Sequence, residues 1–173
     1  DSSSVLVRLN EDGTVDILSG ASDIGQGSDT CIAQIVAEEL KLPFNAMNIV
    51  SADTRMGVQD LGTYASRITF VAGNAAKKAA ADAKQQILRS LGKQWSVREE
   101  EISYGEGRIF VPERSDLNLS FAEAVRLVLN KEGIFIVGRG YYDTPCEKID
   151  YNTGYGNSSP TNSYGTQAAE VEV

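Results

Sequence analysis

The sequence has no histidine, only two cysteines, and no run of basic residues. Without histidine, Ser-His-Asp triads, imidazole general bases and the commonest metal ligand are all excluded. Cys31 and Cys146 lie far apart in the chain and make no Cys-x-x-Cys pair. Zinc ribbons, iron-sulfur ligation and dithiol redox motifs are excluded with it. Such sparse cysteine use suits a reducing, cytoplasmic compartment with Cys31 as a small apolar helix residue, although the sequence leaves a Cys31–Cys146 disulfide open. No apolar run approaches the roughly 20 residues that span a bilayer, and no basic-then-apolar leader pattern is seen. Sixteen Lys and Arg against 24 Asp and Glu give a net charge of -8. That balance excludes nucleic acid and anionic membrane surfaces as partners, since both select positive charge. An enzyme built on this chain takes its chemistry from something other than its own side chains.

What is present is enough for one domain, or a large piece of one, spanning 1–173: 42% of the 173 residues are apolar. The most informative run is Gly20-Ala21-Ser22-Asp23-Ile24-Gly25-Gln26-Gly27-Ser28-Asp29-Thr30. Ahead of it, 5–9 and 15–18 read as strands of a hairpin turning at Asn10-Glu11-Asp12-Gly13. Behind it, Ile32, Ile35, Val36 and Leu40 recur at helical spacing, with Ser28 as the expected N-cap. A glycine loop feeding a helix N-terminus offers free backbone N–H groups to a phosphate or another polar cofactor. The run matches neither the Walker A nor the Gly-x-Gly-x-x-Gly pattern, and an ordinary turn and cap is the alternative.

Further along, the first helix ends near Leu42-Pro43, 47–51 reads as a strand, and 53–62 is rich in turn residues. A second loop, Gly62-Thr63-Tyr64-Ala65-Ser66-Arg67, opens a long alanine-rich helix reaching Leu91 and closing at Gly92. Ser96 to Glu99 and Ser120 to Glu123 fit the capping-box pattern, the second opening an amphipathic helix that stops near Gly133. A hairpin is expected from 102–104 and 108–111, and a buried strand over 134–137. The segment 138–165 carries scattered tyrosines among Gly, Asn and Ser, and reads as an irregular but docked excursion. The alternating stretch 168–173 reads as a terminal strand that stops without a turn, as a chain cut from a longer polypeptide would. The expected fold is α+β, a mixed sheet with packed helices.

Several of these segments together resemble the molybdopterin-binding subunit of the xanthine dehydrogenase and aldehyde oxidase family. They are Asp23-Ile24-Gly25-Gln26-Gly27-Ser28-Asp29-Thr30, Gln34 with Ala37-Glu38-Glu39-Leu40, and Ser51-Ala52-Asp53-Thr54. Gly62-Thr63-Tyr64-Ala65-Ser66-Arg67, Gly73-Asn74-Ala75, and Ser159-Pro160-Thr161-Asn162-Ser163-Tyr164-Gly165 with Ala169-Glu170-Val171-Glu172-Val173 complete the set. The resemblance implies part of the molybdenum-cofactor domain of an oxidoreductase. Its metal is held by the dithiolene sulfurs of a pyranopterin (molybdopterin), with or without a nucleotide extension. It implies that Gln26 hydrogen-bonds near the metal's oxo or dithiolene side and that Ile24, Gly25 and Gly27 bring backbone to the cofactor. Thr63, Tyr64, Ala65, Ser66 and Arg67 are then expected along the pterin or its phosphate. The alternatives are that Gln26 caps its own loop, that Ser66 is a plain N-cap and that Arg67 makes a surface ion pair.

The family's catalytic glutamate sits in a glycine-flanked motif, and no glutamate here has that setting. The resemblance therefore implies a fragment without the catalytic base and without activity of its own. Its implied partners are the rest of the large subunit, iron-sulfur subunits or domains with or without flavin ones, and a small aromatic or heterocyclic substrate. The Tyr/Asn-rich segment is most similar to the 4-hydroxybenzoyl-CoA reductase type. Two other readings stay open: a free-standing α+β module binding a phosphate-bearing small molecule, and a structural assembly domain.

Overall fold

The hairpin at the start of the chain sets the frame. β1 (Ser2–Leu9) and β2 (Val15–Ser19) pair antiparallel, with Val5, Val7 and Leu9 facing Val15 and Ile17 across a fully buried side. Strict alternation of buried residues with half-buried ones, and with the exposed Arg8, along the two strands puts one face of the sheet in the core. The structure, a computed structural model, describes residues 2–56, 58–157, 161–163 and 165–172. α1 (Ser28–Leu40) follows the glycine loop, and β3 (Met47–Ser51) returns parallel to β2. α2 (Ile68–Trp95) is the long helix. β4 (Ser103–Gly105), β5 (Arg108–Val111) and β6 (Arg114–Ser120) form a small separate sheet, α3 (Phe121–Glu132) packs beside it, and β7 (Val137–Asp143) joins the first sheet. The main sheet runs β3-β2-β1-β7 and is mixed, as the α+β reading expects.

The alanines of α2 have a specific use. Gly138 and Gly140 of β7 lie directly under the helix, so close that a Cβ on Gly140 would meet Ala75 O at 1.8 Å and one on Gly138 would meet Ala79 O at 2.0 Å. Only a glycine strand under an alanine helix permits that approach. Lys78, Asp82 and Gln86, one turn apart on α2, then hydrogen-bond the backbone at Tyr141 O, Arg139 N and Val137 O. The outer edge of β7 is thereby closed by helix side chains rather than by another strand.

Several expectations are corrected. Ser28 is the first residue of α1, and the N-cap is Gly27 at φ 79. Ser66 does not cap α2; Arg67 occupies that position, without a side-chain cap. α2 runs past Gly92 to Trp95, and its C-cap is Ser96 in the left-handed region at φ 55, so Ser96 opens no capping box. Ser120 and Glu123 do form the reciprocal box at α3. The strand expected at 134–137 begins only at Val137, with Ile134 and Phe135 exposed. β6 has no counterpart in the sequence reading. The segment 144–157 folds on itself through Glu147 N to Asn157 O and Asp150 N to Tyr155 O, leaving Tyr151 and Tyr155 exposed. Residues 168–172 form no strand and are exposed, since no neighbouring strand lies beside them among the described residues. Ser159, Pro160 and Tyr164 of the tail motif, and Val173, lie outside the described residues. Among the described residues no helix is long and apolar enough to cross a membrane, and Cys31 is a half-buried free thiol, not half of a disulfide.

Candidate functional site

Two loops, 40 residues apart in sequence, meet at the ends of β2 and α2. Gly20 has no room for a side chain, because a Cβ there would meet Val58 O at 2.2 Å; the 58–60 segment passes directly over it. Beyond it the first loop turns back through Gly25 (φ 100) and Gly27 (φ 79), both in space that is open on the side a Cβ would take. The Thr63 hydroxyl donates to Ser22 O at 2.6 Å and ties the second loop to the first.

Between them lies a cavity of about 850 Å³. Ile24 and Gln26 line it from the first loop, and 63–67 line it from the second. Phe70 and Asn74, from the first turns of α2, and Asn162 and Ser163, from the tail, complete the wall. The tail is fastened there: Thr161 Oγ1 donates to Ala65 O at 2.9 Å and Ser163 Oγ to Ser66 Oγ at 2.6 Å. Seven of the nine residues singled out in the sequence therefore share one cavity. Gly25 and Gly27 are hinges of the same loop, outside the lining itself. Asn74, Asn162 and Ser163 were not singled out as site residues, although each stands in one of the recurring motifs that carried the resemblance. Phe70 carried no signal.

Each side chain has a definite state. Gln26 is folded onto its own loop: its Oε1 accepts from Ile24 N at 2.7 Å, and its Nε2 donates to Ser28 Oγ at 3.0 Å and Ser22 O at 3.3 Å. The bonds to Ile24 N and Ser22 O are solvent-facing, so water can replace them at little cost, whereas the bond to Ser28 is partly buried. Ile24, 72% exposed, projects from the same loop. Asp23 braces the loop from below, accepting from Gly25 N at 2.8 Å and Asp29 N at 3.3 Å. Those N–H groups, Gly25's first, hold its carboxyl below the usual carboxylate range. Asp29 in turn accepts from Ser51 Oγ at 2.9 Å, anchoring α1 to β3.

Arg67 is an ion-pair residue, but not a surface one. Its side chain is wholly buried, with Nη1 2.7 Å from Asp60 Oδ1. It also donates to Gly62 O, Ser2 O and Ser3 Oγ, which leaves only Nε without a partner among the described residues. Its guanidinium is thus committed to the protein behind the cavity wall.

Besides Arg67, the polar side chains lining the cavity are amides and hydroxyls, Gln26, Thr63, Tyr64, Ser66, Thr69, Asn74, Asn162 and Ser163, set among the apolar Ile24, Ala65, Ile68 and Phe70. Such a set hydrogen-bonds the edges of a polar heterocycle; it has no thiolate or imidazole with which to take a metal directly. A second cavity of about 530 Å³, between α1 and α2, is lined instead by Glu38, Glu39, Lys77 and Lys84 and contains none of the residues assigned from sequence.

Residues 1–173 match the family model described as a molybdopterin cofactor-binding domain. The xanthine dehydrogenase molybdenum-binding subunit of Escherichia coli O157:H7 is 41% identical over 81 residues, 46% of this chain and 11% of that protein. The xanthine dehydrogenase of Oryza sativa subsp. japonica is 30% identical over 168 residues, 97% of this chain and 11% of its own. The reconstituted CO dehydrogenase from Oligotropha carboxidovorans superposes with a TM-score of 0.75 at 28% identity, over 83% of this chain and 18% of that one. The chain spans about a tenth of the length of the curated relatives it matches.

Proposed function

The chain belongs to the molybdopterin cofactor-binding domain family, and from that membership we propose that the cavity between loops 20–30 and 62–67 is its share of a molybdenum-pyranopterin site. The observation that carries this reading is the cavity itself: the two loops converge on about 850 Å³ whose wall mixes amide and hydroxyl groups with the apolar Ile24, Ile68 and Phe70. That volume falls within the range of cofactor pockets. The donor set fits a group whose metal is held by its own sulfurs and whose organic frame needs amide and hydroxyl partners.

When bound, the cofactor supplies two-electron redox chemistry that no side chain of this segment can. The residues here bind and orient. Gln26 would exchange its exposed bonds to Ile24 N and Ser22 O for hydrogen bonds from its amide to the cofactor, with Gly25 and Gly27 allowing the loop to approach. Thr63 and Ser66 offer hydroxyls from the opposite wall, and Ile24 and Tyr64 shield the mouth from water. No residue of this chain is assigned a catalytic role. The general base would come from elsewhere in the polypeptide, and iron-sulfur centres, with or without flavin, on partner domains or subunits would take up the electrons. The substrate class is a small aromatic or heterocyclic molecule.

The test is Gln26→Ala in the intact native polypeptide that contains this sequence. Molybdenum and pterin per polypeptide should fall while thermal unfolding stays nearly unchanged. Wild-type cofactor content in a folded variant would contradict the assignment.

A further inference from the structure

The wall formed by 62–67 rests on a turn that its own residues disfavour. Arg67 N donates to Tyr64 O at 3.1 Å, and the two residues between, Ala65 and Ser66, have φ of 49° and 56°. Left-handed φ at both central positions is the signature of a mirror-image turn, ordinarily filled by Asn and Gly. Here both positions carry a Cβ. Such a backbone persists only where the surroundings over-determine it.

Those surroundings converge on one buried carboxylate. Asp60, 1% exposed, pairs with Arg67 Nη1 and accepts from Gly62 N at 2.8 Å through the same oxygen. Its other oxygen accepts from the Ser3 hydroxyl, and Ser3 and Asp60 are also joined as an isolated backbone bridge. The guanidinium fork then reaches Gly62 O at 2.7 Å, Ser2 O at 2.8 Å and Ser3 Oγ at 2.8 Å. One planar, rigid group therefore fixes both ends of 62–67 against the start of β1. A buried ion pair is weak evidence for stability, because apolar packing often serves as well. Its distinctive contribution is geometry.

We infer that Asp60 is a positioning residue for this site: acting through Arg67, it holds the Tyr64-to-Arg67 turn in its left-handed form and so shapes the cavity wall. Ser2 and Ser3, at the start of β1, are part of the same device. The inference rests on the reading of the cavity as a cofactor site.

The test uses the intact native polypeptide containing this sequence. Asp60→Asn alone leaves a buried guanidinium unpaired, so the informative variant is the double Asp60→Asn/Arg67→Met, with Ser3→Ala as a milder companion. Two quantities are read below the unfolding transition: backbone hydrogen exchange in cofactor-depleted protein, and the rate of pterin release from loaded protein, followed by fluorescence. Exchange within 62–67 should accelerate about tenfold or more in the double variant, while the β1–β2 pair and the centre of α2 stay near wild type. Pterin release should accelerate by about the same factor, with Ser3→Ala shifting both in the same direction by less.

Unchanged exchange at 62–67 in a folded variant overturns the inference. So does faster exchange with unchanged pterin release, or an equal rise across the whole sheet, which marks a merely structural pair. If the double variant does not fold, Ser3→Ala decides by the same criteria. A wild-type protein that takes up no pterin overturns the proposed function instead, and the exchange measurement still reports whether Asp60 orders the turn.

Discussion

The Thr63 hydroxyl donates to the Ser22 carbonyl at 2.6 Å, and this bond is the direct tie between two loops that otherwise leave different elements of the fold. It is partly buried, so its loss leaves Ser22 O to a less favourable partner. Thr63→Val, nearly isosteric, should cost about 1 kcal/mol and lower the melting temperature by roughly 2–4 °C for a domain of this size. The loops should also separate, so molybdenum retention should fall further than stability does. Calorimetry and elemental analysis on the same preparation check both parts; a variant with wild-type values for each would show that the tie does nothing.

Gly140 is the most intolerant position of the sheet. A Cβ there would meet Ala75 O at 1.8 Å, and neither the helix backbone nor β7 has somewhere to go. Gly140→Ala should destabilise by about 3 kcal/mol or more, at the severe end of overpacking. Denaturant unfolding measures it, and a loss below about 1 kcal/mol would mean that α2 and β7 are less closely packed than described.

The turn at Ala65 offers the opposite sign. With φ of 49° on a residue that carries a Cβ, Ala65→Gly relieves the left-handed penalty, offset in part by the entropy glycine loses on folding. The expected net is a gain of up to about 1 kcal/mol. A drop in melting temperature would show that Ala65 packs in a way its exposure does not suggest.

Asp23 predicts an acid-side response. Its carboxyl is held below the ordinary value, first by the Gly25 N–H. Stability from such a group is present above the unfolded pKa of about 3.9 and is lost as pH falls through the lower folded value. Loop 23–29 should therefore loosen on acidification below about pH 4, and Asp23→Asn should remove that step. NMR of the Gly25 and Asp29 amides follows it; identical titration of both amides in the Asn variant would exclude Asp23 as the cause.

What the sequence made legible was local. The 5–18 hairpin, the strand at 47–51, the Ser120–Glu123 box and the two loops each carry a short-range signal that survived folding. What it hid was set by distant contacts. β7 could not be read from Gly138-Arg139-Gly140, because those glycines make sense only under Ala75 and Ala79 of α2. β6 is mostly exposed and polar, with Leu117, Leu119 and Ser120 half-buried at its end, so it lacks a clean alternation. Ile134 and Phe135 looked like core and are exposed. Among site residues, Arg67 was placed toward a phosphate because the sequence does not show Asp60, Ser2 and Ser3 gathered around it.

Whether this segment walls a molybdenum-pyranopterin site is measured most directly as molybdenum per polypeptide, by elemental mass spectrometry, on the intact native protein containing this sequence. Near-stoichiometric metal is the expected result. Its absence, in cells shown to be loading other molybdenum enzymes, would mean that the cavity holds no such cofactor.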